Sequence, residues 1–119
     1  MTRIDQQNAL ARLVGARLTS VQFVLDYLIL GFDEKGAMTC LVWPELVDKD
    51  QAILFCAPGY RDALCSQLEA TVDSATMDDN EVIHIIFASG CELLVNLRLC
   101  LREGERAILT GPEHYLFVF

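Results

Sequence analysis

An internal repeat most constrains the fold of this chain, because both halves must then form the same kind of unit. At a shift of 54 residues the apolar pattern repeats, with Leu10, Val14, Leu18 and Ser20 aligning with Leu64, Leu68, Val72 and Ser74. At a shift of 55, Ala52-Ile53-Leu54 aligns with Ala107-Ile108-Leu109. The alternative is a chance match between amphipathic segments of similar order. We predict one domain over residues 1–119, with a pseudo-repeat of roughly 2–56 and 58–119.

Each half begins with a predicted helix. Thr2 can cap a helix that runs to about Val14, with Asp5 three residues later in the position of a capping-box acid. The counterpart begins after Pro58-Gly59 and ends near Thr71, with apolar residues at helical spacing. The sequence therefore predicts two helices.

Three strands follow each helix, and short turns between them require antiparallel neighbours. The predicted strands are Leu18–Val24, Tyr27–Phe32 and Met38–Trp43 in the first half, and Val72–Met77, Val82–Phe87 and Glu92–Leu101 in the second. Further short apolar segments are Ala52–Cys56, Ala107–Leu109 and a terminal Tyr115–Phe119, which we expect to close or edge the sheet. The predicted class is α+β: duplicated helix–three-strand (αβββ) units forming mainly antiparallel sheet with two helices.

The alternation of apolar and polar residues along the strands predicts which faces of the sheet are exposed to solvent. In the second half, Leu93, Val95, Leu97, Leu99 and Leu101 share one face, opposite a largely polar one. In the first half, Leu28, Leu30 and Phe32 are predicted to face the core. The outward set is then nearly all apolar and forms a candidate interface of Tyr27, Ile29, Met38, Cys40 and Val42.

An apolar patch of that size needs a cover. A helix of the same chain, a second copy, a small apolar ligand and a different protein are all open, and we predict a homodimer that uses this face. The composition agrees, because 53% hydrophobic residues and a mean hydropathy of +0.33 are high for a small domain.

Charge and composition exclude several partners. The net charge of −8 would repel a phosphate backbone, so neither nucleic acid nor an anionic membrane is expected as a partner. The first residues lack the apolar run of a secretory signal, and we expect a cytoplasmic protein. Five cysteines without a Cys-x-x-Cys pair are interpreted as small core residues of a reducing compartment.

Candidate catalytic groups are few. His84 is a possible general base but falls on a sheet surface, and His114 falls in a loop. Cys65, one turn after Arg61, fits a packing role better than that of a nucleophile. Asp78-Asp79-Asn80-Glu81 fits a hairpin turn better than a metal loop. We expect no metal, no cofactor and no assembled active site.

Two stretches carry a resemblance. Residues 14–23, VGARLTSVQF, and residues 58–65, PGYRDALC, resemble segments of small bacterial proteins of unknown function. The resemblance extends over most of the chain and implies no activity. In size, acidity and class the chain also resembles the immunity proteins encoded beside bacterial toxin genes.

The leading hypothesis is a non-enzymatic binding or protein-interaction module that acts as a homodimer, with immunity to a basic toxin as its most concrete form. The alternative is a small-molecule binder or minor enzyme with a pocket at the junction of the two halves. The candidate pocket residues for that alternative are His84, Glu92, Asn96 and Arg98.

Overall fold

The computed structural model describes residues 2–100 and 104–119. The helices are α1 (Arg3–Ala11) and α2 (Tyr60–Cys65). The strands are β1 (Leu18–Val24), β2 (Tyr27–Phe32), β3 (Gly36–Cys40), β4 (Glu45–Asp48), β5 (Gln51–Ile53), β6 (Val72–Met77), β7 (Val82–Phe87), β8 (Glu92–Asn96), β9 (Ala107–Gly111) and β10 (Tyr115–Val118). The predicted α+β class is confirmed. Neither helix is long and apolar enough to cross a membrane.

The strands form two antiparallel sheets that exchange strands between the halves. Sheet I has the order β1-β2-β3-β9-β10, and sheet II has the order β5-β4-β8-β7-β6. Each sheet therefore takes three strands from one half and two from the other. The pairings of β3 with β9 and of β4 with β8 join the halves, so neither half completes a sheet alone.

The two halves meet where β1 and β6 begin. Arg17 and Thr71, which are equivalent at a shift of 54 residues, form an antiparallel bridge with each other. The backbone N–H of Gly15 donates to the carbonyl of Val72, and the N–H of Val72 donates to the carbonyl of Ala16. Equivalent segments thus pair around a local pseudo-twofold axis. The duplication itself stays a prediction.

Both helices are shorter than predicted because the chain leaves them to join this junction. The capping box of Thr2 and Asp5 is present, but α1 ends at Ala11 and not at Val14. Helix α2 ends at Cys65, not near Thr71, since the N–H of Glu69 donates to the carbonyl of Leu18 at 2.7 Å. That bond between elements competes with continuation of the helix.

Strands β1, β2, β6 and β7 have the predicted bounds, whereas the segments that follow them differ. β3 ends at Cys40, and the chain crosses to sheet II through Pro44. Proline has no N–H to donate to a neighbouring strand, so it does not continue the sheet. The prediction missed β4. Its hairpin with β5 turns through Lys49 and Asp50, both with positive φ as in a type I′ turn.

The predicted long strand Glu92–Leu101 is also wrong in its second part. β8 ends at Asn96, whose side chain accepts a hydrogen bond from the N–H of Arg98 and starts a short 3-10 turn. Leu97 is buried as expected, but Leu99 is 65% exposed. Leu101 lies outside the described residues.

The core lies between the inner faces of the two sheets, with the helices adding Leu10 and Leu64. Leu28, Leu30 and Phe32 are fully buried, as are Leu93, Val95 and Leu97, so the inward assignments for β2 and β8 are correct.

Candidate functional site

The predicted interface does not form one face, because β3 is turned over relative to the prediction. Met38, Cys40 and Val42 are buried in the core. Met38 pairs with Leu30, and Cys40 pairs with Leu28. Paired residues of antiparallel strands point to the same face, so these side chains must accompany the inward leucines. The outward assignment of Met38, Cys40 and Val42 was therefore wrong, whereas Tyr27 and Ile29 do lie outside, half-buried.

Within residues 2–100 and 104–119, the outer face of sheet I nevertheless carries no charged side chain. Its members follow from register, since each is paired with another across the five strands. They are Ser20, Gln22, Val24, Tyr27, Ile29, Gly31, Ala37, Thr39, Ile108, Thr110, Leu116 and Val118. We call this set the uncharged face. On the edge strand, Leu116 is 62% exposed.

Charged residues border the uncharged face without entering it. Asp26 lies in the β1–β2 turn, Glu34 and Lys35 lie between β2 and β3, and Glu113 lies between β9 and β10. Helix α1 packs against β6 and helix α2 against β4, both of which belong to sheet II. The centre of the face thus consists of apolar and small uncharged polar side chains, and charged residues surround it.

The outer face of sheet II differs, because it carries a histidine between two carboxylates. The Nε2 of His84 lies 2.8 Å from Oδ2 of Asp78, and its Nδ1 lies 2.9 Å from Oε2 of Glu92. Asp78 also accepts hydrogen bonds from the N–H groups of Asn80 and Val82. The predicted pocket pair His84 and Glu92 is therefore in direct contact.

This arrangement favours the imidazolium form of His84. Partial burial alone would lower the pKa of His84, but the hydrogen bonds to Asp78 and Glu92 outweigh it and the pKa is raised. The bond from His84, followed by that from the Val82 N–H, lowers the pKa of Asp78. With both ring nitrogens engaged by carboxylates, neither is free to accept a proton from a substrate.

A cavity of about 330 Å³ lies at the same outer face of sheet II, where strands of both halves pair. Its walls are mainly apolar, with one carboxylate and one amide. They are Trp43, Pro44, Glu45, Leu54 and Phe55 from the first half and Val82, Leu94, Asn96 and Leu99 from the second.

Aromatic side chains build one wall of this cavity. The rings of Trp43 and Phe55 stack with their centroids 4.2 Å apart and an angle of 9° between their planes. Phe23 extends the row on the Trp43 side, and Tyr60 meets Phe55 edge-on. The hydroxyl of Tyr60 donates to the carbonyl of Pro44, which fixes the crossover segment beside the stack.

Of the four predicted pocket residues, Asn96 lines the cavity and the others do not. His84 is paired across the strands with Leu94, a cavity wall, so the His84 cluster lies beside the cavity. Arg98 points to Glu81, with Nε 3.7 Å from Oε2, and Arg106 binds the same carboxylate at 3.1 Å. The three charges form a separate group.

The prediction missed Trp43, Pro44 and Phe55 as site residues. Trp43 was assigned to a strand, and Phe55 to a short apolar segment. The available signal was Trp43-Pro44 itself, because a proline after an aromatic residue ends strand pairing and leaves the ring at a crossover.

The cysteines are not arranged as nucleophiles. Burial raises the pKa of Cys40 to about 12 and that of Cys91 to about 11. Cys65 is exposed, and the guanidinium of Arg61 lies over the ring of Phe23, 5.1 Å from its centroid. Within residues 2–100 and 104–119, no group of His, Cys, Asp and Glu could hold a metal ion.

Comparisons of the chain with family models, with curated proteins and with solved structures gave no match.

Proposed function

We propose that this protein is a non-enzymatic binding module that pairs with a second copy of itself through the uncharged face. The observation that supports this proposal is the outer surface of five adjacent strands, on which none of the described residues is charged although 22% of the chain is. Leu116 is exposed on this face, and Val24, Ile29, Ile108 and Val118 are half-buried, so part of their apolar surface meets water in a monomer. Its burial is the driving force for association.

The size of the face sets how much of a dimer interface it supplies. Five strands about 4.8 Å apart make a face roughly 24 Å across. Its strands have four to seven residues and are roughly 14 to 24 Å long, so the uncharged face covers about half of the roughly 800 Å² per partner of a standard interface. The dimer therefore also needs the rim around the face.

Charge restricts a second copy to the uncharged face. The chain carries −8, so two copies repel each other wherever acidic surfaces meet. A twofold axis through the uncharged face sets it against itself and keeps like charges apart. A basic partner, as in toxin immunity, would instead be recognised through the acidic surface elsewhere.

The same geometry supports a function without catalysis. His84 is held by Asp78 and Glu92, and the thiols of Cys40 and Cys91 are protonated in the physiological range. All five cysteines are free, which is typical of a reducing compartment such as the cytoplasm.

Light scattering after gel filtration at high micromolar concentration tests the proposal. The expected mass is twice 13.3 kDa. Ile29→Lys places a charge within the uncharged face, on β2 beside the central strand β3, and should give a monomer with unchanged circular dichroism. Thr76→Lys, on the exposed outer face of sheet II, is the matched control and should remain dimeric.

Two results would overturn the proposal. One is a wild-type mass of 13.3 kDa throughout the concentration range. The other is a dimer that Ile29→Lys leaves intact, since the interface would then lie elsewhere.

A further inference from the structure

The cavity on sheet II is suited to an apolar body of limited size. Its volume of about 330 Å³ is near the lower end of small-molecule sites, which run from roughly 300 to 1,000 Å³. At the roughly 30 Å³ that a water molecule takes in the liquid, it has room for about ten non-hydrogen atoms. That is the size of one substituted aromatic ring.

The rim of the cavity exposes apolar surface that such a ligand would cover. Leu54 is 56% exposed, Phe55 is 39% exposed and Leu99 is 65% exposed. These side chains come from both halves and surround the stacked pair of Trp43 and Phe55. A ligand that enters between them buries its own apolar surface and theirs together.

Charge at the cavity specifies the polar end of the ligand. Glu45 is half-buried in the wall, and among the described residues no Lys, Arg or His lies within ion-pair distance of it. On strand β7, His84 contacts the carboxylates of both Asp78 and Glu92. Two negative charges against one imidazolium leave that cluster negative. On the side of Asn96, Arg98 and Arg106 share the single carboxylate of Glu81, which leaves that group positive. The attraction of a cation to the cavity therefore comes from Glu45, the one charged side chain among the described residues of its wall.

We propose that this cavity binds a small primary amine with an aromatic or compact aliphatic body, the body lying beside Trp43 and Phe55 and the ammonium group donating to the carboxylate of Glu45. Asn96 adds a polar group at the wall. Its Oδ1 accepts from the N–H of Arg98, so its Nδ2 remains to donate to an acceptor on the ligand. This site is independent of dimerisation.

The fluorescence of Trp43 provides a direct test, because it is the single tryptophan of the chain. Phenethylamine should change the emission in a saturable way. The neutral phenethyl alcohol should bind about tenfold more weakly, since it lacks the charge-assisted bond. The anionic hydrocinnamate should bind more weakly still.

Two variants connect the preference to Glu45. Glu45→Gln should bring the affinities for the amine and the alcohol together. Glu113→Gln makes the same change of charge in an exposed turn of sheet I and should keep the wild-type preference. Ile29→Lys should bind the amine like wild type, which separates this site from the proposed dimer.

No saturable change with phenethylamine at millimolar concentration would overturn the proposal. So would an amine preference that Glu45→Gln leaves unchanged, provided that its unfolding midpoint shows the variant to be folded.

Discussion

Gln7 completes the free edge of strand β6 by bonding to the backbone of Met77. Its Nε2 donates to the Met77 carbonyl at 2.8 Å, and its Oε1 accepts from the Met77 N–H at 3.1 Å. One side-chain amide of α1 thus satisfies both backbone groups that a neighbouring strand would have paired. It also attaches α1, which belongs to the first half of the chain, to β6, the first strand of the second half.

We predict that Gln7→Ala lowers the free energy of unfolding by about 2 kcal/mol, because two partly buried backbone groups lose their partner. Chemical denaturation measures the loss, and hydrogen exchange should show a less protected Met77 amide. Gln6→Ala is the matched control, since it makes the same change one residue earlier in α1. Equal losses in the two variants would mean that helix propensity, and not the edge contact, is responsible.

Gly36 lies at a close approach between β3 and β9. A Cβ at Gly36 would be 1.8 Å from the carbonyl oxygen of Thr110, and the φ of +121° is itself unfavourable for a side chain. Because the obstacle is backbone, Gly36→Ala should cost about 3 kcal/mol or more, measured by urea denaturation.

Gly90 is the matched control for this substitution, because it aligns with Gly36 at a shift of 54 residues. It also has a positive φ, +94°, but a Cβ added at Gly90 would have nothing within 4 Å. Gly90→Ala should therefore lower the free energy of unfolding by only about 1 kcal/mol, the cost of holding an alanine in the left-handed conformation. Losses of similar size at both positions would argue against the close approach at Thr110.

Local patterns made part of this fold predictable. The hairpins β1–β2 and β6–β7 have the predicted bounds, because alternating residues such as Leu28 and Leu30 set both period and face within a few residues. The capping box of Thr2 and Asp5 was equally local.

The rest of the fold could not be predicted from local patterns, because it depends on pairing between residues that are distant in the sequence. The face of Met38 depends on its partners Leu30 and Leu109, and Leu109 lies in the other half of the chain. The alternation of a short strand fits either face, so the assignment was inverted. The cavity depends on the same exchange, since Trp43 and Leu94 come together only because β4 pairs with β8.

Tyr60 connects α2 to the crossover between the sheets. We predict that Tyr60→Phe costs about 1 to 2 kcal/mol, because the buried hydroxyl no longer donates to the Pro44 carbonyl and that carbonyl is left without its donor. Thermal or urea unfolding measures the loss. Tyr27→Phe removes the hydroxyl of a half-buried residue on the uncharged face and should change stability by less than about 0.5 kcal/mol.

The His84 cluster predicts how stability depends on pH. The pKa of His84 is raised above 6.5 in the folded state, so its contribution is complete below pH 6.5 and is lost as the pH rises through the folded value. The pKa of Asp78 is lowered, so its contribution is complete above 3.8 and is lost as the pH falls through the folded value. The two contributions are complete together between pH 3.8 and 6.5.

Urea midpoints on either side of pH 6.5 measure the upper limit of this window, and an NMR titration of the His84 ring gives its pKa directly. His84→Gln should flatten the decline in stability above that pH, since the titrating group is gone. His114→Gln changes the exposed histidine of the β9–β10 turn and should keep the wild-type decline. A His84 ring that titrates below 6.5 would contradict the prediction, because partial burial would then outweigh the two carboxylates.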